Sequence, residues 1–314
     1  MKKVILITGE NRSGSSLLDL MIGNSKNGFS AGELFRIFRP IKTSEKIKIN
    51  EPKVWEYDTK IIKFWNEIRK NGEKNVYENL FNSLENVDFI VDSSKNPIWI
   101  RNQLKYNQKK TYKLIPIIIY KTPLEFAYSL FKRDQLKYWK RRWIRRHLIL
   151  FGILENFISV EYSRLVKKPS SHLELICKNI GIDYFKEKEN FWENPNKNYF
   201  LFGSDTLRDS KSNVYYEIQY NPSHLDFLRK SIDISEKRIN EILEILNAYE
   251  VESKTGIDPE ILKKKEKIKK FGIMNQLELE LETSKYYEIN SLVYNIKCNA
   301  DKILRKLNDN VEFK

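Results

Sequence analysis

The sequence is poor in the residue types that form disulfide frameworks and metal sites. Its 314 residues include two cysteines and three histidines, and none of these stands at the short spacing that zinc ligands show. Cys177 and Cys298 therefore predict neither a disulfide framework nor a catalytic cysteine. His147, His172 and His224 are scattered, so we expect no metal cofactor.

Long apolar segments are also lacking. The charged start and the apolar residues 4–7 are similar to the beginning of a signal peptide, but a glycine-containing loop ends the apolar run early. No segment reaches the roughly 18 consecutive apolar residues of a membrane-spanning helix. We therefore expect a cytoplasmic protein.

Negative charge is scarce, with 42 acidic against 56 basic residues and a net charge of +14. This excess indicates an anionic ligand or surface, but it does not distinguish nucleic acid, acidic glycan, lipid headgroup and nucleotide. A hydrophobic content of 41% and an aromatic content of 13% are typical of a globular chain.

Short apolar runs followed by polar or proline residues predict buried parallel strands. These runs lie at residues 4–7, 89–91, 114–120 and 159–162. Helical spacing between them, at residues 55–70 and 77–84, predicts an α/β fold with a parallel sheet that binds ligands beyond the carboxyl ends of its strands.

The C-terminal part has a different pattern. From about residue 236 the spacing is helical, with one helix predicted to end at Tyr249 and a lysine-rich one over residues 259–270. We therefore expect an α/β domain over residues 1–250 and a helical extension over residues 251–314.

The sequence GENRSGSSLL, residues 9–18, directly follows the first predicted strand. A strand, a small-residue loop and a helix start direct backbone N–H groups and a helix dipole at an anion. The loop is nearly a Walker A motif, but Ser15 stands where that motif has lysine, and the positive charge is Arg12 inside the loop. This arrangement favours a phosphate-like ligand that is bound differently from ATP.

The segment RSGSSLL resembles the 5′-phosphosulfate-binding loop of sulfotransferases that use 3′-phosphoadenosine 5′-phosphosulfate (PAPS), especially the bacterial carbohydrate-type and tyrosylprotein-type branches. The resemblance implies a P-loop-like three-layer α/β fold, PAPS as the sulfuryl donor, 3′-phosphoadenosine 5′-phosphate (PAP) as product, and no metal. It implies that the following residues hold the phosphosulfate: Arg12, Ser13, Gly14, Ser15, Ser16 and Leu17.

The segment IIYKTPLEFAYS, residues 118–129, resembles the family's 3′-phosphate segment. Lys121 takes the position of the basic residue that closes a strand, and Ser129 that of the serine on the next helix. Arg133, one turn later on the same helix face, matches a second basic ligand. The family usually has Arg-Asp or Arg-Asn where this chain has Lys121-Thr122, and a lysine lacks the bidentate fork of an arginine.

Two further segments resemble those that carry the family's catalytic residues. Glu33 in FSAGELF has the same separation from Arg12 as the catalytic-base glutamate of the tyrosylprotein branch, and transfer to a hydroxyl needs a proton acceptor. Lys95 in DSSKNP resembles the catalytic lysine, which neutralises charge on the leaving phosphate. The resemblance implies that Glu33 is the general base and that Arg12 and Lys95 stabilise the transition state.

The resemblance extends to about residue 230. Tyr162 in VEYSRLVKKP matches a tyrosine-centred strand and turn near the adenine or ribose. Gly203 and Arg208 in FGSDTLR match a glycine-to-arginine loop that closes over PAPS.

Two other functions fit the residues. A P-loop kinase would bind Mg-ATP and use Asp92 on the metal, and a non-catalytic protein would bind polyanions through the basic helix at residues 137–147 and the lysine-rich tail. In that helix Trp139 and Trp143 are predicted to be buried. The transferase needs an acceptor hydroxyl on a glycan, a peptide tyrosine or a small molecule. An acidic acceptor or an acidic membrane surface suits the basic helix, and nucleic acid is not expected as a partner.

Overall fold

The computed structural model describes residues 1–38, 59–70, 72–107, 111–194, 199, 203–204, 207, 228–229, 232–252 and 257–269. In this part of the chain one parallel sheet comprises β1 (Lys3–Thr8), β2 (Gly28–Gly32), β3 (Phe89–Asp92), β4 (Lys113–Tyr120) and β5 (Ile158–Glu161). The strand order is β2-β3-β1-β4-β5. The predicted α/β fold with a central parallel sheet is confirmed.

The helices are α1 (Ser15–Gly23), α2 (Thr59–Lys70), α3 (Val76–Ser83), α4 (Pro97–Tyr106), α5 (Pro123–Phe131), α6 (Trp139–Ile153), α7 (Tyr162–Lys167), α8 (Pro169–Ile180) and α9 (Lys237–Ala248). A further helix covers residues 259–269. Short 3₁₀ turns lie at Leu34–Ile37, Glu73–Asn75, Leu136–Tyr138 and Phe191–Glu193.

The sheet has an apolar core on each of its two faces, and successive side chains of β1 belong to the two cores in turn. Val4 and Leu6 belong to the core that α2 to α6 and α9 cover, whereas Ile5 and Ile7 belong to the core that α1, α7 and α8 cover. Because successive side chains of a strand point to opposite faces, both faces of this strand are apolar and buried. The result is the predicted three-layer arrangement.

Strand β2 was not predicted from the sequence. Its residues GFSAG include two glycines and a serine instead of a β-branched run, yet all five are buried. Helix α1 packs closely on this strand, since a Cβ on Gly23 of α1 would lie 2.0 Å from the Ser30 hydroxyl oxygen. In the strand itself, a Cβ on Gly28 would lie 2.5 Å from the ring of Phe89 in β3.

The prediction that the fourth strand includes Tyr162 was wrong. Pairing of β5 with β4 ends at Glu161, opposite Tyr120, which is the last residue of β4. With no further partner on that side, the chain turns, and Tyr162 is the first residue of α7.

The other predicted helices are found with small changes at their ends. Residues 55–58 of the first predicted helix and residue 270 of the last lie outside the described residues. In α6 both Trp139 and Trp143 are buried, as predicted. None of the helices in the described part is long and apolar enough to cross a membrane.

The helix over residues 259–269 packs against the α/β domain. Ile268 is buried in the core that contains α6 and α9, and the Lys265 ammonium donates to the backbone carbonyl of Glu155 and to the Tyr249 hydroxyl. Residues 270–314 lie outside the description, so the division into residues 1–250 and 251–314 stays a prediction.

Candidate active site

At least one residue predicted for the site follows the carboxyl end of each of the five strands. The loop of residues 9–14, called the first loop below, follows β1. Glu33 follows β2, Lys95 lies after β3, Lys121 follows β4 and Tyr162 follows β5. Because β1 lies between β3 and β4, the turns that carry Lys95 and Lys121 flank the first loop on its two sides. Ligands of open α/β sheets bind at such a position.

The first loop has a backbone that requires glycine at both ends. Gly9 has φ 144° and Gly14 has φ 99°, in the region that side chains disfavour. A Cβ on Gly9 would lie 2.0 Å from the Ile119 carbonyl oxygen, and one on Gly14 would lie 2.3 Å from the Tyr162 ring. The tyrosine therefore packs directly on the loop.

The first loop and the start of α1 offer groups that suit an anion. Gly14 is the N-cap of α1, and no side chain caps the helix, so its first amides can donate to a ligand. The Ser13 hydroxyl is buried without a hydrogen-bond partner among the described residues, and Arg12 is exposed with φ 73°. These groups fit the phosphosulfate that the resemblance implies.

Gly203 lies beside the start of α1. The backbone N–H of its neighbour Ser204 donates to the Ser16 hydroxyl over 3.2 Å. This contact places the beginning of the predicted closing loop next to the first loop, whereas Arg208 lies outside the described residues.

Glu33 and Lys95 form an ion pair. The Lys95 ammonium donates to Glu33 Oε1 over 2.5 Å, and Arg36 Nε donates to Glu33 Oε2 over 2.6 Å. Glu33 and Lys95 are each only 8% exposed. Two backbone contacts hold their turns together: Ser93 N–H donates to the Gly32 carbonyl, and Phe35 N–H donates to the Ser94 hydroxyl. The predicted base and the predicted catalytic lysine are therefore direct neighbours.

The carboxylate of Asp92, at the end of β3, is held by hydrogen bonds from neighbouring residues of the protein. Its carboxylate accepts hydrogen bonds from the Tyr77 hydroxyl (2.5 Å), the Trp99 indole N–H (2.9 Å) and the Ser94 backbone N–H (2.7 Å). It is 1% exposed, and burial raises its pKa. These bonds fix the start of the turn that carries Lys95.

The candidate 3′-phosphate residues form a basic cluster. Burial lowers the pKa of Lys121 to about 8, Glu125 opposes this shift, and the positive charges of Lys132, Arg133 and Arg12 add to it. Burial and the charge of Arg12 also lower the pKa of Arg133. Cations that repel one another in this way gain from a bound anion.

Contacts within the protein already orient these side chains. The Lys121 ammonium lies 4.4 Å from the centre of the Tyr162 ring, a cation–π distance. The Ser129 hydroxyl donates to the Phe126 carbonyl (2.7 Å), and Arg133 donates to the Ser129 carbonyl (2.8 Å). The prediction that Arg133 lies on the same helix face as Ser129 was wrong, because α5 ends at Phe131 and Arg133 lies in the turn that follows. Its guanidinium still reaches back to Ser129 through this backbone carbonyl.

Sequence reasoning missed Glu10 and Arg146. Neither residue stands in a segment that resembles a ligand-binding segment of the family. In the structure Glu10 is 5% exposed, and Arg146 Nε lies 3.6 Å from its Oε1. A carboxylate inside a loop that suits anions is the signal that could have indicated a nearby cation.

The described residues include no group of three or more histidine, cysteine or carboxylate side chains arranged to hold a metal ion. The groups at the strand ends include amides, hydroxyls and cations, which suit an anion, and the carboxylates of Glu10 and Glu33 there are paired with cations. The assignment of each predicted site residue to a ligand atom stays a prediction.

No protein-family model and no curated protein matches the chain. Two solved structures are similar to it. The sulfotransferase domain from the Synechococcus PCC 7002 olefin synthase has a TM-score of 0.53 and 17% identity, with 78% of this chain and 94% of that domain covered. The sulfotransferase domain from the curacin biosynthetic pathway has a TM-score of 0.53 and 18% identity, with 79% and 98% covered. At such identities the likeness concerns the fold, and the chain has the fold of sulfotransferase domains.

Proposed function

We propose that this protein is a sulfotransferase that moves a sulfuryl group from PAPS to an acceptor hydroxyl. The observation that carries the proposal is the arrangement around the first loop. Arg12 lies in the loop, Lys95 and Lys121 lie in the turns on its two sides, and the carboxylate of Glu33 contacts Lys95. The domain that contains these residues has the fold of sulfotransferase domains.

The residues divide into two anion sites. The α1 amides, the Ser13 hydroxyl and Arg12 would hold the 5′-phosphosulfate. The 3′-phosphate would be held by the basic cluster of Lys121 and Arg133, with Ser129 beside them. When bound, PAPS supplies an activated sulfuryl group. Tyr162, Gly203 and Arg208 are proposed to lie along the nucleotide.

For Glu33 to act as a base, its ion pair with Lys95 must open. Both carboxylate oxygens of Glu33 are engaged, one by Lys95 and one by Arg36. We expect a phosphate group near Lys95 to compete with Glu33 for the ammonium. Once Oε1 is released, it can accept the proton of an acceptor hydroxyl, while Lys95 neutralises charge on the leaving phosphate.

Two observations weigh against the alternatives. A kinase would need Asp92 for Mg²⁺, but that carboxylate is buried and engaged by three donors, and Ser15 replaces the Walker lysine. A protein that only binds polyanions through α6 does not require the buried pairing of Glu33 with Lys95.

The similar structures are domains of an olefin synthase and of the curacin pathway, so their fold does not favour the carbohydrate-type or the tyrosylprotein-type branch. A panel of hydroxyl acceptors (glycans, tyrosine peptides and small alcohols) with radiolabelled PAPS would identify the acceptor class.

A thermal-shift comparison tests the function. PAP with EDTA should raise the melting temperature, because a ligand at 100 times its Kd adds about 2.7 kcal/mol to stability. Stabilisation by Mg-ATP but not by PAP would instead support the kinase. Affinity for heparin that falls steeply with salt, without any PAP effect, would support the polyanion-binding protein.

A further inference from the structure

Helix α6 contacts the backbone of both turns that flank the first loop. From one turn of this helix, the Trp143 indole N–H donates to the Lys121 carbonyl over 3.0 Å. Near the next turn, Arg146 Nη1 donates to the Lys95 carbonyl over 2.9 Å. A single helix thus fixes the backbone of both candidate ligand lysines.

Arg146 has a second contact, with the first loop itself. Its Nε lies 3.6 Å from Glu10 Oε1, and the other carboxylate oxygen of Glu10 accepts a hydrogen bond from the Asn11 backbone N–H over 2.9 Å. The Glu10 carbonyl also accepts from Ser13 N–H over 3.2 Å, so Glu10 is part of the folded loop. Its side chain is 7% exposed, and that of Arg146 is 19% exposed.

A buried carboxylate in this place opposes the binding of an anion. Removal of a charge from water is costly unless the charge is paired, and a like charge beside the ligand repels it. The guanidinium of Arg146 balances Glu10 through Nε and still reaches the Lys95 carbonyl through Nη1. A lysine has one point of charge and cannot make the two contacts in the same way.

We propose that Arg146 is a positioning residue for the anion site: it neutralises Glu10 in the first loop and fixes the turn that carries Lys95. The inference rests on the proposed function, because the anion is taken to be the phosphosulfate. The two tasks are separable, since the first concerns the affinity for an anion and the second concerns the placement of a catalytic side chain.

The test is a cycle of Arg146→Gln, Glu10→Gln and the double variant. PAP affinity is measured by titration calorimetry and turnover with saturating PAPS. Arg146→Gln leaves Glu10 unpaired, so its Kd for PAP should rise about tenfold, within the range of coupling energies for neighbouring residues. In the double variant no unpaired carboxylate remains, so the Kd should return to within about threefold of the wild type, since loss of both partners of a buried pair costs little.

Turnover should behave differently from affinity. In the double variant kcat should stay low, because the contact of Arg146 with the Lys95 carbonyl is still missing. Arg146→Lys keeps a charge near Glu10 but not both contacts, so it should keep PAP affinity and lose kcat. If Arg146→Gln fails to fold, the Arg146→Lys variant still tests the placement of Lys95 through its kcat. Arg141→Gln, an exposed residue of the same helix, is the matched control and should leave both quantities unchanged.

The outcomes separate this inference from the proposed function. If the wild type binds PAP and Arg146→Gln binds it equally well, the charge-balancing role is wrong. The same conclusion follows if Glu10→Gln does not restore affinity in the Arg146→Gln background. If the wild type does not bind PAP at all, the proposed function fails, and the inference fails with it.

Discussion

Replacement of Glu33 by glutamine tests the general base and the ion pair together. The change keeps the size of the side chain and removes its charge. Proton transfer by a positioned base contributes about 10²–10⁴-fold to a rate, so turnover should fall by at least about 100-fold. The variant should still bind PAP, because in our assignment Glu33 does not contact the nucleotide.

The geometry also predicts the direction of any change in PAP affinity. The Lys95 ammonium is 2.5 Å from Glu33 Oε1, and both residues are almost buried. Close charge pairs have coupling energies of about 1.5–7 kcal/mol, and the lower end already corresponds to about tenfold in an equilibrium constant. Since the carboxylate competes with a phosphate for Lys95, Glu33→Gln should leave PAP affinity unchanged or up to about tenfold tighter.

The assay combines titration calorimetry with PAP and single-turnover transfer from radiolabelled PAPS. The matched control is Glu67→Gln, which removes an exposed carboxylate that pairs with Lys70 on α2. Loss of PAP binding together with turnover would show that Glu33 supports the cofactor site and is not the base. Full turnover in the variant would remove Glu33 from the mechanism.

Three other predictions concern charge, backbone and surface. Burial lowers the pKa of Lys121 to about 8, so Lys121 loses its proton as the pH rises through that value. The affinity for PAP should therefore fall from pH 7 to pH 9. In calorimetric titrations a Lys121→Met variant should bind PAP more weakly and should lose this pH dependence. Gly14→Ala should lower the melting temperature more than Gly72→Ala. Both glycines have a positive φ, so an alanine at either position is strained by about 1–3 kcal/mol. In addition, a Cβ on Gly14 would clash with Tyr162, whereas a Cβ on Gly72 meets nothing within 4 Å. Phe131 at the end of α5 (42% exposed) and Tyr138 just before α6 (57% exposed) each neighbour a lysine in the sequence. Sedimentation with anionic vesicles should therefore exceed that with zwitterionic ones and should decrease in Tyr138→Ser, and equal sedimentation would exclude this surface.

Much of the fold could be predicted because its central strands are apolar on both faces. β1 and β4 each contain a continuous apolar run, at residues 4–7 and 114–120. The rule that ligand residues come after strand carboxyl ends then directs attention to Lys95 and Lys121. Edge strand β2 was not predicted because its residues GFSAG show no apolar strand pattern, and the sequence does not show that α1 packs closely on it.

The sequence could indicate candidate residues one by one, but it could not show which of them contact one another. Glu33 and Lys95 were each singled out, but their ion pair was not, because the sequence does not show which charges neutralise one another. Arg146 was missed for a related reason. Its helix is densely basic, and the sequence does not show that Arg146, like Trp143, is on the side of the helix that contacts the two turns.

Each of the five strand ends supplies at least one candidate residue, and this has a consequence for how the protein folds during synthesis. Parallel strands are joined by long crossovers, so their pairing brings together residues distant in the chain and is intrinsically slow. The last of these residues, Tyr162, packs on Gly14, which was synthesised well before it. A nascent chain that has not yet delivered β5 therefore has no complete anion site. Binding of PAP should accordingly distinguish finished molecules from partly folded ones and should increase the yield of refolding by withdrawing finished molecules from the equilibrium.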